Sequence, residues 1–263
     1  MTTNRHDHVR LEHAGRVARV TLDRPEKLNA LTARMAADLH SVLDGVAADN
    51  SIRVVIVTGA GRGFCSGADV NELLAPDSEI TAVQPGFGIT DLSTRIRGIP
   101  QPVIAAVNGV AAGAGLAIAL ACDIRIASQE AGFSSIFVKR SLVPDAGASL
   151  MLPRLVGVAA ATEMALTGNV YDSQWALEKG LVSRVVPADT LMQEASALAE
   201  QIADNPPLAV RATRSLLYDG DNDALAGAMR RESDANALLS ATHDAREAVL
   251  AFLEKRSPVY RGE

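Results

Sequence analysis

The run "VIAAVNGVAAGAGLAIALAC", residues 103–122, limits the fold more than any other stretch of the chain. A wholly apolar segment of roughly 20 residues is long enough to cross a bilayer as a helix. Here Pro102 precedes it, Asn108-Gly109 breaks it, and Asp123 and Arg125 follow it directly. These interruptions make it a buried strand, a turn and a small-residue helix after Gly113. A strand that is apolar at every position has to be covered on both faces, the condition of a parallel strand under helices.

The same order appears upstream. "RVARVTLDRP" alternates as a strand, "EKLNALTARMAADLHSVLDGVAAD" carries apolar residues at helical spacing, and "IRVVIVTGAG" is a continuous apolar strand. Downstream, "CDIRIAS" supplies another strand. The pattern predicts a layered α/β core of parallel strands covered by helices, and a 48% hydrophobic content is ample to fill it. After Pro187 the chain reads as helical to the end, through "LMQEASALAEQIAD", "PLAVRATRSLLY" and "DALAGAMRRESDANALLSATHDAREAVLAFLEK". The expected division is an α/β core over 1–195 and a helical region over 196–263, of a kind that often packs across a subunit boundary. Residues 75–90, "APDSEITAVQPGFGIT", predict a loop or lid, and the start "MTTNRHDHVRLEH" a loose terminus leading to a first strand.

A net charge of −6 provides no overall field for nucleic acid or anionic lipid, so any phosphate site must be local. Neither nucleic acid nor membrane is an expected partner. Cys65 and Cys122 lie in small apolar surroundings, and the polar start lacks a secretory signal, which together indicate reduced cysteines in the cytoplasm. His6, His8 and His13 read as a solvated tail rather than a metal site, and no metal is expected.

The glycine-rich "TGAGRGFCSGAD" tempts a dinucleotide reading that its spacing refuses. Starting from Gly59 and Gly61, the third glycine would fall at Phe64; starting from Gly61 and Gly63, it would fall at Ser66. No phosphate-loop lysine is present. Cys65 or Ser66 as a nucleophile would need a base, and no histidine occurs between His40 and His243. The loop's asset is its backbone, because Gly63 and Gly67 let amides near Ala68 approach a ligand. Gly113-Ala114-Gly115 opens an apolar helix, where small residues permit either an anion at the free amides or close helix packing. Asp145, in "LVPDAGASL", can cap the following helix or move protons.

Taken together, "RPEKLNAL", "GRGFCSGAD", "PVIAAVNGVAAGAGLAIALACD" and "LVPDAGASLMLPRLVG" resemble the enoyl-CoA hydratase/isomerase, or crotonase, family, in order from about residue 10 to about residue 215. The resemblance implies a spiral of repeated strand-strand-helix units with a helical C-terminal trimerisation region, assembled as a homotrimer or hexamer. It also implies an acyl-CoA thioester substrate, with coenzyme A part of that substrate and no separate cofactor. By the same likeness the amides of Ala68 and Ala114 form an oxyanion hole for a thioester enolate. Lys27, Leu28, Ala30, Asp69, Val70, Asn71, Gly113 and Phe137 line the substrate and CoA path, and Arg24, Lys27 and Arg62 are candidate phosphate partners.

The positions of the family's two hydratase glutamates are Ala117 and Phe137 here, neither of which transfers protons. Asp145 stands where the family's double-bond isomerases carry their acid, and "FVKRSLVPDAGASLMLPRLVG" is especially similar to the ring-epoxide phenylacetyl-CoA isomerases. The resemblance therefore implies fatty-acid or related lipid metabolism and an enoyl-CoA isomerase with Asp145 as its catalytic residue. Hydration by a non-standard route, aryl-CoA dehalogenation through an aspartate nucleophile, and a non-catalytic acyl-CoA binder are the competing readings.

Overall fold

The computed structural model describes residues 2–5, 7–73, 88–218 and 220–263. Eleven strands are seen among them: β1 (Thr2–Arg5), β2 (Val9–Ala14), β3 (Val17–Leu22), β4 (Val54–Gly59), β5 (Gly63–Cys65), β6 (Val103–Val107), β7 (Val110–Ala112), β8 (Ile124–Ser128), β9 (Gly132–Ser134), β10 (Tyr171–Asp172) and β11 (Arg184–Val186). They make a seven-stranded sheet, β1-β2-β3-β4-β6-β8-β11, and a four-stranded sheet, β10-β9-β7-β5. From β3 to β11 the larger sheet is parallel, as are β5, β7 and β9 in the smaller one.

Each turn of the chain thus gives one strand to each sheet and then a helix. β4 and β5 are followed by Leu92–Gly98, β6 and β7 by Ala114–Ala121, and β8 and β9 by Ala148–Val156. The helix Ala114–Ala121 is buried at every position, which suits its uniformly apolar sequence. The helix Ala33–Ala48 starts on Thr32, whose hydroxyl accepts the Met35 amide at 3.0 Å. It buries Met35, Leu39, Val42, Leu43 and Val46, each contributing on the order of 1.5–3 kcal/mol.

The terminus expected to be loose is paired backbone. β1 and β2 form an antiparallel ribbon in register Thr2 to His13, and β2 continues onto β3. His6 lies outside the described residues, and among those described no three His, Cys, Asp or Glu side chains group as metal ligands. No described helix is long and apolar enough to cross a membrane.

The expected 195/196 division falls inside the helix Leu191–Ala203. Its Leu191, Ala195, Ala199 and Ala203 pack on Val54, Ile56 and Ile104 of the sheet, so this helix is a layer of the core. The last periodic run is two helices, Asp221–Ser240 and His243–Leu253. Thr242 divides them by accepting the Ala245 amide at 3.1 Å, an N-cap inside an otherwise helical pattern.

Candidate active site

The loops that follow the strands enclose a cavity of about 590 Å³. The segment after β3 runs beside the loop after β5. Ser66 donates its amide to the Leu28 carbonyl at 3.0 Å, Leu31 to Gly67 at 2.8 Å, and Asp69 to Leu31 at 2.8 Å. Asn29 locks the two together from a fully buried, left-handed position (φ 57°). Its Nδ2 donates to the carbonyls of Ala60, Gly63 and Phe64 at 2.9, 2.8 and 3.2 Å, while Oδ1 accepts the Arg24 amide at 2.8 Å.

The bonds on either side of Ala68 use the Gly67 carbonyl and the Asp69 amide, leaving Ala68's own amide without an acceptor among the described residues. Ala114 is the first residue of its helix, where an amide has no intrahelical acceptor. Gly67 and Gly113 adopt φ of 104° and 53°, conformations that favour glycine. A β-carbon on Gly67 would lie 3.0 Å from the Ala112 carbonyl oxygen and 3.7 Å from the Ala114 nitrogen, so the two loops meet at backbone contact. Gly115 has a different task. Its β-carbon would sit 2.1 Å from the Cys65 carbonyl oxygen, and here the close-packing reading of the small residues holds.

The sequence-derived site residues converge. Lys27, Leu28, Ala30, Ala68, Asp69, Val70, Asn71, Gly113, Ala114, Phe137 and Asp145 all line this one cavity. Ala117 is fully buried and is not among the lining residues. Of the candidate phosphate partners Lys27 lines the cavity and Arg62 does not. Arg24 is committed elsewhere, with Nη1 at 2.7 Å from Asp69 Oδ2 and 3.0 Å from the Ala30 carbonyl. Most of the expected 75–90 loop lies outside the described residues, although Ile89 and Thr90 reach the wall.

Among the described residues two carboxylates line the cavity, and their environments differ. Burial alone would raise Asp69, but its bonds from Arg24 and from the amide and side chain of Asn71 outweigh that and hold it below the ordinary range. Asp145 is half-buried, and its side-chain partner is Asn236, whose Nδ2 donates at 3.3 Å. Burial, with the Glu232 charge second, pushes Asp145 up to about 7. Cys65 is fully buried and its thiol is pushed up to about 12 by that burial, which removes it as a nucleophile.

Asp145 does not cap the helix that follows it. Gly147 stands at the N-cap (φ 78°), and Glu232 takes the amides of Gly147 and Ser149 at 2.8 and 3.0 Å. Sequence reasoning missed Glu232 and Asn236, which lie on the helix Asp221–Ser240 more than 80 positions downstream. It also missed Arg140, Phe252 and Leu253, which complete the cavity wall, with the Arg140 guanidinium 4.0 Å over the Phe252 ring.

This double-sheet spiral, with the amides of Ala68 and Ala114 and the half-buried Asp145 lining one cavity, can hold an oxygen that gains charge while a proton moves within the same cavity. The profile of the enoyl-CoA hydratase/isomerase family matches residues 12–263, and the chain belongs to that family. It is 39% identical over 253 residues to a 1,2-epoxyphenylacetyl-CoA isomerase of Escherichia coli (strain K12), covering 94% of this chain and 95% of that protein. It is 37% identical over 249 residues to a 2,3-dehydroadipyl-CoA hydratase of the same organism, covering 94% and 96%. A crystal structure of an enoyl-CoA hydratase/isomerase from Pseudoalteromonas atlantica T6c superposes with a TM-score of 0.90 at 35% identity, over 97% of this chain and 100% of that one. The fold is the crotonase spiral, and family members act on CoA thioesters.

Proposed function

We propose that this protein is an enoyl-CoA isomerase that moves a double bond through a thioester enolate. One observation carries the reading: among the described residues two carboxylates line the cavity, of which Asp69 is tied to Arg24 while Asp145 has no cation partner and is raised to about 7. That value suits a group that must take and return a proton near neutrality.

In this mechanism the thioester carbonyl oxygen lies against the amides of Ala68 and Ala114. Asp145 removes a proton from C2 of a 3-enoyl-CoA, and the electrons of that C–H bond pass into a dienolate whose oxygen charge the two amides stabilise. The same carboxyl, whose proton exchanges with solvent while the dienolate is held, delivers a proton to C4, leaving a 2-enoyl-CoA, and the reverse reaction uses the same steps. Water takes no part. Phe137 makes the wall apolar at one hydratase-glutamate position and the buried Ala117 supplies no base at the other. Lys27 and Arg140 are the cations lining the cavity among the described residues and can meet the CoA phosphates. The aryl-dehalogenase reading lacks its histidine, since none lines the cavity among the described residues. Exposed Leu208, Leu216 and Leu217 on the helix Pro207–Leu217 support assembly of this cytoplasmic enzyme as a homotrimer or hexamer.

The test is incubation of the purified protein with 3-enoyl- and 2-enoyl-CoA esters in deuterated buffer. Interconversion with deuterium in the product, absent in Asp145→Asn, is the expected result. Accumulation of 3-hydroxyacyl-CoA, the outcome that the hydratase name of one relative brings to mind, would replace this reading with hydration.

A further inference from the structure

The loop carrying Asp145 is held from both ends by one helix. On the Asp221–Ser240 helix, Glu232 and Asn236 are four residues apart and so lie on one face. Glu232 is 4% exposed and does not line the cavity, and its two oxygens accept the amides of Gly147 and Ser149. Asn236 Oδ1 accepts the Val143 amide at 2.9 Å, and its Nδ2 donates to Asp145 Oδ2 at 3.3 Å. The first of these bonds fixes which end of the Asn236 amide faces the carboxylate. One carboxylate oxygen of Asp145 is therefore occupied, and capping of the next helix no longer competes for the other.

We propose that Glu232 and Asn236 are a positioning pair for Asp145: Glu232 relieves it of capping and sets a negative charge behind it, and Asn236 orients its carboxylate toward the cavity. This rests on the reading of Asp145 as the proton shuttle. The two partners act on proton affinity in opposite senses. The Glu232 charge disfavours the ionised form of Asp145, whereas the Asn236 donor favours it. Among the described residues, the other charged groups lining the cavity are Arg140 from the turn Ile136–Arg140, Lys27 from the turn Pro25–Lys27, and the Arg24-paired Asp69. None of these three belongs to the pair. Glu232 is not a substitute for a hydratase glutamate, because both its oxygens are taken and it does not reach the cavity.

The experiment uses the full chain with ¹³C-labelled aspartate carboxyls, assigning the Asp145 signal by its loss in Asp145→Asn. Its titration is followed alongside the pH profile of isomerisation. Glu232→Gln is expected to move the Asp145 midpoint and the acid limb of kcat together to lower pH. Asn236→Ala is expected to move both upward and to lower kcat roughly tenfold with KM little changed, as lost orientation should. A role in stability alone would lower the melting temperature without opposed shifts. Midpoints and kcat unmoved in both folded variants would overturn the pairing, and if Glu232→Gln fails to fold, an unmoved midpoint and kcat in Asn236→Ala would overturn it. Turnover retained in Asp145→Asn would instead remove the shuttle reading, which the Asp145 titration does not depend on.

Discussion

Nε of Arg214 donates to both carboxylate oxygens of Asp123, at 2.9 and 2.8 Å. The remaining guanidinium nitrogens donate to the carbonyls of Ile99, Arg97 and Ile96 at 2.7, 3.1 and 3.2 Å, and Asp123 Oδ2 also accepts the Val103 amide at 2.6 Å. One side chain of the helical region thereby ties the end of the helix Leu92–Gly98 to the start of β6.

Both partners are only 11% exposed. Arg214→Ala leaves Asp123 without its cation and is expected to cost about 3–5 kcal/mol in urea unfolding. Arg214→Lys keeps the charge and loses the planar fork, so its loss should be intermediate.

Asn29→Ala removes the buried side-chain tie between the two loops that carry Lys27 and Ala68, leaving their backbone bonds. Three carbonyls would lose their shared donor, and a destabilisation of roughly 2–3 kcal/mol is expected. Because those loops line the cavity, KM for an acyl-CoA should rise as well, measured in steady-state kinetics at a temperature where the variant is folded.

For Asp145 the direction of the pH effects follows from its raised value of about 7 against 3.8 unperturbed. The folded state keeps this proton after the unfolded chain has released it, so the associated stability is full below about pH 4 and is lost as pH rises through 7. Asp145→Asn cannot ionise. It is expected to be more stable than the parent at pH 8, on the order of 4 kcal/mol, with the gain shrinking toward pH 4. Denaturant titrations at both pH values check this, and a gain equal at both would contradict the assignment.

Activity should run the opposite way, since the base works ionised. In the direction from 3-enoyl- to 2-enoyl-CoA, kcat/KM is expected to rise about tenfold per pH unit below 7 and to level off above it. A flat profile from pH 5 to 8 would exclude Asp145 as the base.

The long apolar strands were legible in the sequence because every position of β6, and every position of β4 but the last, is buried. The residues lining the cavity were legible because the resemblance fixed Ala68, Ala114 and Asp145 one by one. The four-stranded sheet was not, since strands of two or three residues, such as β5, β7, β9 and β10, are too short to show a period of two. Glu232 and Asn236 carry no local signal either. On a polar helix they look like solvent-facing residues, and only the fold brings them against a loop some 90 positions away. The split at Thr242 was hidden by helical spacing that continues through it.

Phe252 and Leu253 belong to the last helix and yet form part of the cavity wall. A ribosome delivers residues in order, so this part of the wall, and the helix that clamps the acid loop, are made after every strand of the spiral. Substrate then meets a finished wall only after the helix His243–Leu253 has been made and packed. A chain cut short just before this helix would lack Phe252 and Leu253 and leave the cavity open on that side.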